Sequence, residues 1–301
     1  MNFGSRTPAP EAARIVDRAI ERGAIHFDTA NMYGDGESER IVGVALKGHR
    51  DRVQIATKVG LLRQSGRPEG LSRGRVIAAL DESLARLQTD RVDLYYLHAP
   101  DPSTPISQTL EAIAALLQSG KIGGWGVSNF AAWQIGELNA ACDAQKLARP
   151  ARAQMLYNVL VRQLDLEFFA FARKNPIHVT VYNPLAGGML ARSPAPGAAI
   201  PAGSRFASNA IYRKRYWTDA LFGLAQRLGE VARAEGMELV TLAYAWLAGR
   251  PGVDSVLAGP GSVAHLDAAI DSCAVELPAP LRAKVDDIHR AFVGTDASYA
   301  R

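Results

Sequence analysis

Four side chains of different chemistry stand at matching points in the first third of this 301-residue chain: Asp28, Tyr33, Lys58 and His98. Asp28 ends the apolar run Ala24-Ile25-His26-Phe27, and Tyr33 follows in a loop with Gly34 and Gly36. Lys58 ends the run from Val53, and His98 ends the run from Val92 to Leu97. A free tyrosine titrates near pH ~10, too high for an efficient acid or base at neutral pH. A nearby ammonium favours the phenolate and lowers that value, while a carboxylate paired with the lysine keeps it charged and in place. A histidine beside them can hydrogen-bond a substrate oxygen or pass a proton. The set therefore suits proton transfer next to a carbonyl or an alcohol. The set contains no nucleophile–base pair of the serine or cysteine type and no His-x-x-x-His spacing, so no metal is expected.

Each residue alone has a plainer role. Asp28 before Thr29 could cap a turn, Tyr33 could be an ordinary loop aromatic, and Lys58 could be solvated at a strand end. His98 before Ala99-Pro100 could bond a backbone group. The repetition argues against all four. A further run, Gly124-Trp125-Gly126-Val127, ends on the polar pair Ser128-Asn129. Functional groups at the carboxyl ends of successive strands are what a parallel β/α barrel uses to build a site.

The elements that must position these groups alternate along the chain. Ala12, Ile15, Val16, Ala19 and Ile20 mark one helical face, closed by Gly23. A helix from about Glu37 to Leu46 precedes the Lys58 strand, and residues 60–72 read as a polar loop with Ser72 as N-cap of the next helix. That helix buries Val76, Ile77, Leu80, Leu84 and Leu87, and the His98 strand follows. A helix carrying Ile106, Leu110, Ile113 and Leu117 stops at Gly120. The strand to Asn129, a helix near 131–144, a strand near 151–156, a helix near 166–173 and the strand His178–Tyr182 continue the rhythm. Residues 186–216, rich in Gly, Pro, Ser and Arg, read as a long loop, a feature usually functional or disordered. Helices near 217–235 and 239–249 flank Gly236, and a last strand at Asp254–Ala258 precedes helices near 262–273 and from Leu281 to Phe292. No composition shift marks a boundary, so one α/β domain over 1–301 is expected. Polar strand ends favour closure into a (β/α)8 TIM barrel over an open sheet. Only seven strands are found, with Met1–Gly4 alone ahead of the first helix.

The totals narrow the class. Apolar content of 48% and charged content of 21% are those of a soluble globular protein. A net charge of +4 without a polybasic tail gives no sign of nucleic acid as a partner. Two cysteines, Cys142 and Cys273, make no disulfide framework and suit a reducing cytoplasm. No signal pattern and no apolar run near the ~20 residues of a membrane-spanning helix are visible.

Five motifs in this order carry a family resemblance: Phe27-Asp28-Thr29-Ala30 with Tyr33-Gly34, Ala56-Thr57-Lys58-Val59-Gly60, Leu97-His98-Ala99-Pro100-Asp101, Gly126-Val127-Ser128-Asn129-Phe130 and Tyr182-Asn183-Pro184-Leu185-Ala186-Gly187-Gly188. Together they resemble the aldo-keto reductases from Met1 to about Phe292. The resemblance implies a (β/α)8 barrel reducing a small aldehyde or ketone with NADPH. It also implies that Asp28, Tyr33, Lys58 and His98 match the catalytic tetrad. Tyr33 would then donate the proton, His98 would orient the carbonyl, and Lys58 with Asp28 would tune the tyrosine. Ser128 and Asn129, with Gln154 beside them, match the holders of the nicotinamide amide, and Tyr182 matches the ring stacked on the nicotinamide. Pro184, Leu185 and Gly187 match the start of the pyrophosphate loop, and Arg205 matches a basic residue of its cover. In the family a segment carrying the first strand usually precedes Asn2-Phe3-Gly4. This chain is therefore expected to lack most of that strand, with the natural start upstream or the gap filled by another segment or chain.

The last segment departs from the family pattern. Around 259–269 relatives usually carry polar or basic side chains that grip the adenosine 2′-phosphate and adenine. Here Gly259 and Ser262 remain, and the other positions read Gly261, Ala264, His265, Ala268 and Ala269. A hydrogen bond to a charged group contributes ~1.5–3 kcal/mol. The expected NADPH-over-NADH preference is thus smaller than the family's, with NAD as the second candidate cofactor. Two other readings compete. One is a cofactor-binding regulatory or catalytically weak barrel, as channel-associated relatives are, and His98 argues against it because such relatives can lack it. The other is a lyase forming a Schiff base on Lys58, which wants a desolvated lysine of lowered pKa; Asp28 would keep Lys58 charged.

Overall fold

A parallel strand buried on both faces reads as a continuous apolar run, not an alternating one. Leu94–Leu97 and Trp125–Ser128 are such runs, with every residue buried. The computed structural model describes residues 2–64 and 66–295, which fall into two compact units. The first holds residues up to 155 together with 175–178 and 259–266, and the second holds 156–174, 179–258 and the remainder. Among the described residues seven strands pair in parallel with a neighbour, the number read from the sequence.

In the first unit the strands His26–Asp28, Gln54–Val59, Leu94–Leu97, Trp125–Ser128 and Arg152–Leu156 lie side by side in sequence order. Their register sets Asp28 against Ala56, Lys58 against Tyr96, and Ser128 against Gln154. Gly126 is required there, since a Cβ would come within 2.6 Å of the Arg152 carbonyl oxygen and 2.7 Å of the Tyr96 ring. The helices Ala9–Glu21, Glu37–Ala45, Arg73–Leu87, Ile106–Gln118 and Ala132–Gln145 follow the predicted spans and pack each on the next. Val76, Leu80, Leu84 and Leu87 are buried, each such side chain contributing ~1.5–3 kcal/mol. Gly43 lets the second helix touch the end of the third, because a Cβ would fall 2.4 Å from the Leu87 carbonyl oxygen.

Three local expectations change. The first strand spans only His26–Asp28, although the Ile25 carbonyl before it still accepts from the Gln54 amide at 2.6 Å. The 60–72 segment contains a small antiparallel hairpin, Arg63–Gln64 against Arg67–Pro68, which turn-forming Gly66 permits. Ser72 sits at the N-cap as predicted, but its side chain makes no capping bond.

The strand His178–Tyr182, in the second unit from Val179 onward, pairs with Ser255–Val256, setting Thr180 against Ser255. The expected strand at 254–258 is therefore shorter, although Asp254 and Leu257 still donate to the Val179 and Val181 carbonyls at 3.0 and 2.8 Å. The helices Asp219–Ala234, Leu239–Ala248 and Ala279–Val293 enclose this pair's unit with buried Leu224, Leu228, Leu242 and Val285. Residues 186–216, read as loop, are broken by short helices at Met189–Arg192, Arg205–Ser208 and Ala210–Tyr216. The Asn209 side chain caps the last by accepting from the Ile211 and Tyr212 amides at 3.1 Å. Segments this short give no periodic signal, so composition alone could not reveal them. No helix among the described residues is long and apolar enough to cross a membrane.

Candidate active site

The end of the Gln54–Val59 strand carries Lys58 with its side chain fully buried. Its ammonium donates to Asp28 Oδ1 and, at 2.7 Å, to the Thr29 carbonyl oxygen. Burial holds the Lys58 ammonium below the ordinary lysine value, an effect that the charges of Asp28 and then Glu39 oppose without cancelling. The same nitrogen lies 5.0 Å from the centre of the Tyr33 ring and 5.8 Å from that of Tyr96. Tyr33 meets His98 edge to face, ring centres 5.8 Å apart. The structure thus brings together all four residues read from the sequence as the proton-transfer set.

His98 is anchored by its backbone, its amide donating to the Val59 carbonyl at 2.8 Å and its carbonyl accepting from Asn129 Nδ2 at 2.9 Å. Burial first, and then the Lys58 charge, hold its imidazole well below the usual histidine range. At neutral pH it is therefore uncharged and offers one N–H donor. Its Nδ1 is buried without a hydrogen-bond partner.

Ser128 and Asn129 extend this cluster. Ser128 Oγ donates to the Gln154 carbonyl at 2.9 Å and accepts from Asn129 Nδ2 at 3.1 Å. Asn129 takes a left-handed backbone, φ 62°, a conformation asparagine tolerates better than most residues. Gln154 lies beside Ser128 as expected, but its side-chain amide also donates to Asp28 Oδ2 at 2.8 Å. Both Asp28 oxygens are therefore engaged, one by Lys58 and one by Gln154. Sequence spacing carried no sign of that second contact.

Gly259 and Ser262 sit in the same unit. The Gly259 carbonyl accepts from Asn2 Nδ2 at 2.7 Å, and Ser262 Oγ accepts from the His265 amide at 3.3 Å. Glu11, unremarkable in sequence, accepts from the Val263 amide at 3.3 Å, at the start of the helix Val263–Cys273.

The other candidates lie in the second unit. Burial raises the Tyr182 phenol above its ordinary value. After Pro184, Leu185 accepts from the Gly188 amide at 2.8 Å, and Gly187 turns the chain with φ 73°. A Cβ on Gly187 would lie 2.7 Å from the Tyr212 ring. Arg205 caps that ring from another side, its guanidinium 4.9 Å from the ring centre and Nη1 donating to the Tyr212 hydroxyl at 3.2 Å. The Tyr212 hydroxyl donates to Asn183 Oδ1 at 3.0 Å, and Asn158 Nδ2 donates to the Asn183 carbonyl at 3.0 Å. Gly187 and Arg205 are thereby joined through Tyr212. Sequence reading named Arg205 but not Tyr212, since nothing local distinguishes this tyrosine from Tyr216.

Comparison with known proteins extends the likeness beyond the site. The family model described as "Aldo/keto reductase family" matches residues 1–290. The chain is 36% identical to the human "Aldo-keto reductase family 7 member A3", covering 89% of this chain and 85% of that one. It is also 36% identical to the human "Aflatoxin B1 aldehyde reductase member 2", over 89% of this chain and 78% of that one. A "Probable voltage-gated potassium channel subunit beta" of Arabidopsis thaliana is 34% identical over 86% of this chain and 80% of its own length. Such coverage reaches the helices and strands as well as the strand-end motifs, and the seven parallel strands observed belong to the family's (β/α)8 barrel. The chain belongs to the aldo/keto reductase family of oxidoreductases acting on carbonyl groups.

Proposed function

We propose that this protein reduces an aldehyde or ketone to the alcohol, with Tyr33 as the general acid and NADPH or NADH as the hydride source. The observation that carries this reading is the Lys58 ammonium, buried, paired to Asp28 and seated against the Tyr33 ring, with neutral His98 at the same ring.

The donor chemistry fits a nicotinamide cofactor. Ser128 and Asn129 offer a hydroxyl and an amide suited to a carboxamide, with Gln154 beside them. Tyr182 offers a ring, Pro184, Leu185 and Gly187 offer a turn whose glycine presents bare backbone, and Arg205 offers a cation suited to a pyrophosphate. When bound, the reduced nicotinamide supplies hydride to the carbonyl carbon. Tyr33 Oη gives its proton to the carbonyl oxygen as negative charge develops there. Neutral His98 donates a hydrogen bond to that oxygen and adds no charge that would need to be dispersed. Lys58 stabilises the phenolate left on Tyr33, and Asp28, held by Gln154, keeps the ammonium in place. A positioned acid of this kind contributes ~10²–10⁴-fold.

The cofactor preference follows from the 259–269 segment. Gly259, Gly261, Ser262, Ala264, Ala268 and Ala269 are small there, and the Glu11 carboxylate at the helix start, paired with Arg14, adds negative charge near any 2′-phosphate. NADPH is the family's cofactor, and this chain should accept NADH with less discrimination than its relatives.

A regulatory or catalytically weak barrel is the reading that must be separated from this one, given the likeness to a protein named as a channel subunit. Retained His98, anchored at strand end and neutral, favours chemistry. A panel of aldehydes and ketones, followed by oxidation of NADPH and NADH, decides it. Turnover abolished by Tyr33→Phe supports the reductase; cofactor binding with no turnover on any carbonyl supports the regulatory reading.

A further inference from the structure

The loop that carries Tyr33 and the loop that follows Lys58 meet at a third residue with no part in proton transfer. Glu69 lies in the 60–72 segment with its side chain fully buried. Its Oε1 accepts from Asn31 Nδ2 at 2.8 Å and from the Gly60 amide at 2.8 Å, with the Leu62 amide at 3.4 Å. Its Oε2 accepts from Arg75 Nε at 2.8 Å, and Arg75 in turn holds Glu82 through two bonds of 2.9 and 2.7 Å. Asn31 stands between Asp28 and Tyr33, and Gly60 stands two residues after Lys58. One carboxylate oxygen thus joins the two loops whose relative placement sets the Lys58–Tyr33 contact.

The rest of the short loop is bound to strand backbone, to itself and to the helix Glu37–Ala45. The Thr29 amide donates to the Ala56 carbonyl at 2.9 Å, the Asn31 amide to the Lys58 carbonyl at 3.3 Å, and the Tyr33 amide to the Ala30 carbonyl at 3.0 Å. Thr29 Oγ1 also donates to Ser38 Oγ at 2.9 Å and the Tyr33 carbonyl accepts from the Ser38 amide at 3.2 Å, while the Asn31 side chain ties the loop to the 60–72 segment. A buried carboxylate is tolerated only when its lone pairs are filled by donors of this strength. Here the donors are drawn from two catalytic loops and from the helix Arg73–Leu87. The burial cost is thereby turned into a fixed geometry.

We infer that Glu69 is a positioning residue: it holds the Tyr33 loop at its working distance from Lys58 through Asn31 and Gly60, and so sets the proton affinity of Tyr33. This rests on the reading of Tyr33 and Lys58 as catalytic. Misplacing a reacting group by about 1 Å can cost ~10²-fold in rate.

The test measures kcat, KM, cofactor affinity and the pH profile of kcat for Glu69→Gln and Asn31→Ala, each below its own melting temperature. Glu69→Gln keeps the shape and loses the charge, and should lower kcat ~10- to 100-fold with KM and cofactor Kd within ~3-fold. Asn31→Ala should lower kcat in the same direction by less, and the double variant should add little to Glu69→Gln alone. The alkaline limb of the kcat profile should move in both single variants, a change that simple loss of folded protein would not produce. If Glu69→Gln does not fold, Asn31→Ala decides alone. Unchanged kcat and pH profile in Asn31→Ala, or a kcat loss that cooling abolishes, overturns the inference. Tyr33→Phe separates the two levels: if it retains turnover the catalytic reading has failed, and if it is inactive while the Glu69 and Asn31 variants are normal only the positioning role has failed.

Discussion

Two regions of this protein are built by opposite means. The strand ends around Asp28, Lys58 and His98 are held by buried charge: the Lys58 side chain is enclosed, and Asp28 is engaged on both oxygens. The turn and short helices from 183 to 217 are held by rings and by backbone conformation instead. Asn183, Ala186, Gly187 and Gly188 all have positive φ, and Arg205, Tyr212, Phe206 and Trp217 stack or cap one another. Charge buried in a low-dielectric interior is sensitive to small displacements, which suits a proton donor whose affinity must be set. Rings and short helices tolerate adjustment, which suits a segment that closes on a ligand. On the proposed reading, buried charge holds the proton donor, and rings with backbone conformation hold the segment offered to the cofactor's phosphates.

That contrast is open to direct attack. Tyr33→Phe should lower carbonyl reduction by at least ~10²-fold with cofactor affinity nearly unchanged. Steady-state turnover beside cofactor titration measures both, and near-normal turnover would end the proposed mechanism. Arg205→Ala should behave in the opposite sense, weakening both cofactors ~10-fold or more through loss of a charge-assisted bond. Turnover at saturating cofactor should hardly move; a large fall in kcat with intact binding would erase the division of labour between the two regions. Gly187→Ala forces a Cβ onto a φ of 73° and to within 2.7 Å of the Tyr212 ring. It should cost ~1–2 kcal/mol of local strain, visible as a lower melting temperature and weaker cofactor binding, with the Tyr33 pH dependence untouched.

A smaller effect concerns His98. Its folded-state pKa is depressed below the ordinary 6.5, so the unfolded chain binds the proton more readily than the folded one. The stability it contributes is fully present above about pH 6.5 and is lost as pH falls toward the folded-state value. His98→Asn should therefore flatten the decline of melting temperature below about pH 6.5, and an unchanged slope would show that burial does not depress this imidazole's proton affinity. The smallest expected change is at Glu11. Removing its charge with Glu11→Gln should strengthen NADPH binding about 2- to 5-fold, the size of a surface charge at a helix end, and leave NADH nearly constant. Equal shifts for both cofactors would take the 2′-phosphate out of the explanation.

The sequence by itself determined the alternation of strands and helices and the residue type at each strand end. Both are local properties. A strand's enclosure shows as an apolar run, a helix's buried face as a 3.6-residue period, and the end of a run marks where a polar side chain can emerge. Asp28, Lys58 and His98 were legible for that reason, as was Gly236, with φ 69° between two helices. The hairpin at 63–68 and the helices at 189–192, 205–208 and 210–216 were not, because each is too short to repeat a period. The tertiary structure alone decided which polar groups meet. Gln154 reaches Asp28 across 126 residues, Glu69 reaches Asn31 across 38, and Glu11 reaches Val263 across 252. Those partnerships depend on strand register and loop closure. A buried carboxylate must find donors wherever the fold brings them, and no window of neighbouring residues contains that information.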